Sequence, residues 1–180
     1  MKLFKYLMIS LLIFSCGESK EKQKQTGLEV KEVNIDEKDD ILRVYFTIKT
    51  SEDDKFQLLF IDDTSEGKYD AKKRLQQAAK GQDELQTLKF EFPKKVLPYK
   101  FRIDLGEKGY ETVLNIHKIR LELNDNEIEI DSSTMDRYFQ KNLYIETEDW
   151  LNFKRNKVSG KYDPFLTSKA FLIKKIEMEL

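Results

Sequence analysis

Cysteine and histidine are almost missing: the 180-residue chain has one of each, with three Pro and seven Gly. A single Cys excludes an intrachain disulfide framework and a Cys-rich zinc site. A single His excludes the common two- and three-His metal sets. Charge of one sign is also absent. The 32 Lys and Arg stand against 33 Asp and Glu, which leaves no broad basic footprint for nucleic acid. No apolar run reaches the roughly 20 residues that cross a bilayer. No Gly-x-Ser-x-Gly elbow, Walker loop or His-Glu-x-x-His occurs. Among so many acids, a neighbouring carboxylate pair says nothing about acid–base catalysis, and the chain does not read as an enzyme. What it has is rings and charge together, 12% aromatic and 36% charged. Such a composition can build a core and a solvated surface, and it argues against disorder.

The N-terminus reads as an address. Lys2 and Lys5 precede a compact apolar run, Leu7 to Phe14, which ends at Ser15 and Cys16. A short positive start, a half-length apolar stretch and a small residue make a secretory signal, residues 1–15. Ile13-Phe14-Ser15-Cys16 resembles the lipobox of bacterial lipoproteins. The resemblance implies cleavage before Cys16, a diacylglyceryl group on its sulfur and membrane anchoring through it. An ordinary signal peptide with an incidental Cys is the plainer alternative. Each buried methylene contributes about 0.8 kcal/mol, so two or three acyl chains hold where one does not. Because no Asp follows Cys16, similarity to enterobacterial sorting implies the outer membrane. Residues 17–27 contain no large apolar side chain and read with Cys16 as a solvated tether, up to roughly 35 Å when extended.

From residue 28 the dominant period is two. Leu42, Val44, Phe46 and Ile48 alternate with polar or amphipathic residues, as do Leu88, Phe90 and Phe92, and then Phe101, Ile103 and Leu105. Each is a strand with one apolar face. Residues 56–61 are apolar on both faces and predict a central strand. Between Val113 and Leu123 the apolar parity switches, and a β-bulge at His117-Lys118 brings Leu114, Ile116, Ile119 and Leu121 to one face. His117 reads as structural there. Residues 70–80 carry helix formers and a following Gly81, predicting a thin surface helix or a long loop. A second short helix is expected near residues 133–140, capped by the Ser132-Ser133-Thr134 run and turning Met135, Tyr138 and Phe139 inward. A final strand is expected over residues 171–180, whose Ile173-Lys174-Lys175-Ile176 matches Ile116-His117-Lys118-Ile119 in pattern.

The expected fold is mainly β, an antiparallel β-sandwich with one or two short helices. Phe101-Arg102-Ile103-Asp104-Leu105-Gly106 and Ile116-His117-Lys118-Ile119-Arg120-Leu121 are similar to the closing strands of galactose-binding-like jelly-roll modules. The resemblance covers residues 28–123 and implies a carbohydrate-binding jelly roll. Residues 124–180 are expected as a C-terminal extension packed on it. Such modules often hold a structural calcium through backbone carbonyls, which no motif reveals. Residues 62–67 look like a calcium loop but fail at its twelfth place, Lys73, where a bidentate Glu belongs. No cofactor is expected.

Two functions stay open. A glycan-binding module would use loop aromatics to stack on sugar C–H faces, and polar groups to bond hydroxyls. The candidates are Tyr69, Tyr110, Tyr138, Tyr144 and Trp150, with Arg102 and Asp104. Trp150, followed by Leu151 and Phe153, also reads as a core anchor, and Tyr162-Asp163-Pro164-Phe165 as either rim or packing. The other function is an accessory lipoprotein that contacts envelope proteins. Rings exposed together in a concave groove would favour the first. A broad apolar patch or free sheet edge would favour the second.

Overall fold

The computed structural model describes residues 39–110 and 112–180. The expected signal sequence, Cys16, the expected tether and the first residues of the expected sandwich lie outside the described residues. Among those described, no helix is long and apolar enough to cross a membrane.

The alternating segments form strands where their period demands. These are β1 (Arg43–Thr50), β2 (Asp54–Ile61), β4 (Gln82–Glu91), β5 (Lys100–Asp104) and β6 (Val113–Leu123). They pair antiparallel in two sheets that pack face to face. With β7 (Asn126–Asp131), β9 (Ile145–Glu146) and β10 (Asn152–Arg155), the six-stranded sheet has the order β4-β1-β6-β10-β9, and the end of β6 also pairs with β7. With β3 (Arg74–Ala79), β8 (Phe139–Lys141) and β11 (Phe165–Ser168), the five-stranded sheet has the order β3-β2-β5-β11-β8. The chain is therefore a mainly β sandwich with two short helices, α1 (Met135–Tyr138) and α2 (Ala170–Glu179). Rings tie the layers: Phe46 meets Phe56 across the sheets at 5.9 Å, and Phe101 touches Phe92 and Phe139 edge-on at 6.3 and 5.9 Å. Each fully buried Phe contributes about 1.5–3 kcal/mol.

The bulge stands where the parity switch places it. Thr47 pairs with Lys118 and Ile48 with Ile116, so His117 is the extra residue. Leu114, Ile116, Ile119 and Leu121 are all fully buried, while His117 faces solvent.

Two expectations are corrected. Residues 70–80 form no helix, because Arg74–Ala79 is strand β3, paired along β2 with Leu75 opposite Leu58. A helix there would have had one large apolar residue to bury. The strand instead satisfies the backbone groups of β2, which outweighs a helix propensity worth a few tenths of a kcal/mol per residue. Gly81 is a corner rather than a helix stop, since a Cβ there would lie 2.6 Å from the Ser51 carbonyl oxygen. The expected strand at 171–180 is instead α2 (Ala170–Glu179), with Leu180 just past its end. Leu172, Ile173 and Ile176 bury one helical face, while Met178 is 74% exposed.

Residues 124–180 also do more than cover the sandwich. β7 (Asn126–Asp131), β9 (Ile145–Glu146) and β10 (Asn152–Arg155) belong to the first sheet. β8 (Phe139–Lys141) and β11 (Phe165–Ser168) belong to the second, with β11 lying between β5 and β8. The expected boundary at 123/124 falls in the β6–β7 hairpin, and the described residues on both sides of it belong to one compact unit.

Candidate functional site

At one end of the sandwich the chain passes between the sheets at residues 51–53, 80–81, 105–112 and 156–164. Loops gathered at one end of a rigid scaffold are where binding groups accumulate. A buried ion pair organises this end. Asp54 opens β2 and Arg155 closes β10, and both side chains are 0% exposed. Arg155 donates to Asp54 Oδ2 at 3.1 Å, to the Leu105 carbonyl at 2.7 Å and to Thr112 Oγ1 at 2.9 Å. Asp54 Oδ1 accepts from the backbone N–H groups of Lys55, Glu107 and Lys108 at 2.8, 2.8 and 3.0 Å. The pair thus clasps the connection 105–112 from below. Only glycine permits so close an approach. A Cβ on Gly106 (φ 100°) would stand 2.1 Å from Asp54 Oδ2, and one on Gly109 (φ 71°) 2.2 Å from Arg155 Nη2.

Above the clasp lies an open cavity of about 580 Å³, lined by Glu52, Glu107, Lys108, Tyr110, Lys157 and Tyr162. The Tyr110 and Tyr162 rings meet edge-on at 6.4 Å, and the Lys157 ammonium sits 3.6 Å from the Tyr110 ring centre. Tyr162 donates its hydroxyl to the Lys108 carbonyl. Burial pushes its phenol up to about 12, with Arg155 pulling the other way and Asp54 and Glu52 adding to the rise. A second cavity of about 250 Å³ shares Glu107 and Tyr162, and adds Gln57, Asp104 and Asp163.

The groove next meets the outer face of the second sheet. Arg102 and Asp104 alternate along β5, so both point outward while Phe101 and Ile103 fill the core. The Arg102 guanidinium lies 4.1 Å over the Phe165 ring and bonds Asp104 Oδ2 at 2.9 Å and Asp163 at 3.2 Å. Tyr69 reaches the same guanidinium from the β2–β3 loop, with its ring centre 5.9 Å away. That loop lines a third cavity, of about 400 Å³.

Of the sequence-predicted residues, Tyr69, Arg102, Asp104 and Tyr110 therefore fall on one continuous band. The others do not. Tyr138 is buried and stacks on Phe171 at 5.7 Å, joining α1 to α2. Tyr144 is half-buried beside β9, its carbonyl accepting from the Asn156 N–H at 2.8 Å. Trp150 packs edge-on against Phe153 at 6.1 Å, at the start of β10. Its φ of 52° is held by Asp149, whose carboxylate accepts the N–H groups of Asn152 and Leu151 and is drawn down to about 2 by them.

Sequence reasoning missed Arg155, Asp54, Lys157 and Glu107. No local pattern marks them, because they meet only when β2, β10 and the 105–112 connection converge. Lys73, the residue at which the calcium-loop pattern fails, donates to Asp62 and, at 2.8 Å, to Ser65 Oγ. Its ammonium takes the cation's place among those oxygens. Among the described residues no three His, Cys, Asp or Glu converge as a metal-binding group. Compared with known protein families, curated proteins and solved structures, the chain matches none.

Proposed function

We propose that this chain is a lipid-anchored protein of the outer membrane whose sandwich is a non-catalytic carbohydrate-binding module. One observation carries the binding reading: Tyr110 and Tyr162 stand together in an open cavity beside carboxylates and ammonium groups. Sugars need that combination, apolar ring faces for their C–H surfaces and polar groups of both kinds for their hydroxyls. The resemblance to galactose-binding-like modules supports the same class. The lipobox-like Ile13-Phe14-Ser15-Cys16 supports the anchor.

A glycan array with the detergent-solubilised full chain tests the ligand. Tyr162→Ala and Tyr110→Ala should each weaken the best binder about 3- to 10-fold, the worth of one aromatic contact. An array without a binder would remove the carbohydrate reading. The anchor has its own test. Cys16→Ala, or globomycin treatment of cells, should leave an unprocessed chain without lipid. Unchanged processing would contradict it.

A second reading, an accessory lipoprotein that contacts other envelope proteins, has an observation of its own. Phe171 and Met178 on α2 are 54% and 74% exposed. Retention of partners after mutation of these two residues would weaken that reading.

A further inference from the structure

The two ends of the sandwich differ. The groove occupies the end where β5 finishes and β6 begins, whereas β1 starts, β2 finishes and α2 lies at the other. There α2 closes the space between the sheets, because Leu172, Ile173 and Ile176 enter the core. A turn of 3.6 residues then puts Phe171, Lys174 and Met178 together on the face away from the core, and all three are exposed. A second segment joins them. Ser168 Oγ accepts the Phe101 N–H at 2.9 Å, so the chain enters β5 beside the place where it leaves β11 for α2. Leu97 and Tyr99, just before β5, are 42% and 60% exposed. The same segment carries Lys94, Lys95 and Lys100, exposed and, like Lys174, without an ion pair to a described residue. Three acids of this end are already held by cations of the chain: Asp39 by Arg43, Asp62 by Lys73 and Glu179 by Lys175. Glu177 lies on the flank of α2, off the outward stripe.

We propose that this end rests on a bilayer surface, with Leu97, Tyr99, Phe171 and Met178 at headgroup level and the lysines on anionic phospholipid, so that the groove faces away from the membrane. The assignment rests on the lipid-anchor reading and adds to it an orientation and a contact surface. Three observations choose a bilayer over a protein partner. Rings and lysines interleave here, whereas the centre of a protein interface is depleted of Lys. Aromatic rings flanked by cations suit the boundary between headgroups and acyl chains. The lysines without a partner complement anionic phosphate, and each one near such a surface adds attraction. The described chain also begins at this end. The Lys95 N–H donates to the Asp40 carbonyl at 2.8 Å, which sets Asp39 beside the same segment. Residues 17–38 separate Asp39 from Cys16 and span at most about 80 Å. A domain held that close to a bilayer meets it at an effective concentration of roughly 1 mM, so a weak contact is enough to orient it.

A single fluorescent label tests this on the lipidated full chain, reconstituted in vesicles of phosphatidylethanolamine and phosphatidylglycerol. Cys16 is the only cysteine, and with its sulfur occupied by lipid an introduced thiol alone takes a maleimide dye. Ala170→Cys labels the α2 end, and Glu84→Cys, near the start of β4, labels the groove end. Lipids brominated high on the acyl chain should quench the label at 170 about 3-fold more strongly than the label at 84. Adding Tyr99→Ala and Phe171→Ala should remove that difference. Both side chains are more than half exposed, so the core keeps its packing. Equal quenching at the two positions before these substitutions would overturn the proposal, and that comparison needs no altered patch. An undiminished difference after them, or in vesicles of phosphatidylcholine alone, would overturn it as well. A label at 170 that turns blue without being quenched would mean that a second copy or another protein covers this face, against the proposal. Dye uptake by the wild-type chain would show a free Cys16 thiol, and the anchor reading would then fail together with the orientation. A wild type that refuses the dye while both labels quench alike would leave the anchor standing and strike only the orientation.

Discussion

Replacing Arg155 with Ala is expected to cost about 3–5 kcal/mol, the usual penalty for breaking a buried ion pair from one side. A domain of this size is stable by only about 5–15 kcal/mol, so the variant should sit near the edge of folding. The penalty arises from what remains. Asp54 stays 0% exposed and loses its counter-charge, while the Leu105 carbonyl and Thr112 hydroxyl lose their donor. Urea denaturation of the full chain measures it. The double variant Arg155→Met, Asp54→Leu should recover only part of the loss. Asp54 also accepts the N–H groups of Lys55, Glu107 and Lys108, and a Leu cannot. A single-variant loss below about 1 kcal/mol, the range of exposed pairs, would show that the clasp is not the anchor of this end.

Truncation after Leu123 should be more severe still, leaving a chain without a cooperative unfolding transition. It removes β11 from its place beside β5 and β10 from its place beside β6. It also strips out Phe139, Phe153 and Leu166, which are fully buried in the core. The remaining strands would expose Phe101, Ile103 and Leu114 to water, at about 1.5–3 kcal/mol for each large side chain. Circular dichroism on heating tests this directly. A sigmoidal melt of the 1–123 chain would restore the division into a core and an added extension.

The sequence made much of the fold legible because period two is a local consequence of the pleat. The bulge at His117 could be read from a single switch of parity, since one extra residue returns Ile119 and Leu121 to the face of Leu114 and Ile116. Arg102 and Asp104 could be placed side by side for the same reason. The failures have a physical cause as definite as the successes. Ile116-x-Lys-Ile119 and Ile173-x-Lys-Ile176 have the same pattern. A bulged strand and a helix both bring residues three apart to one face, so the pattern does not distinguish them. Met178, two residues past the buried Ile176, is exposed because α2 turns by 3.6 residues rather than alternating as a strand does. Residues 70–80 went wrong in the other direction. Their helix formers describe an isolated segment, and the unpaired edge of β2 decided otherwise.

Local chemistry, then, determined the alternating strands, the bulge, the short helix at Met135 and the outward direction of Arg102 and Asp104, because each depends on neighbours within a few residues. The tertiary structure alone decided that β10 and β11 are built into both sheets. It alone closed the Asp54–Arg155 pair across 101 residues and carried Tyr69 over Arg102. Those contacts join segments far apart in the chain, and their energy exists only after the sheets have packed.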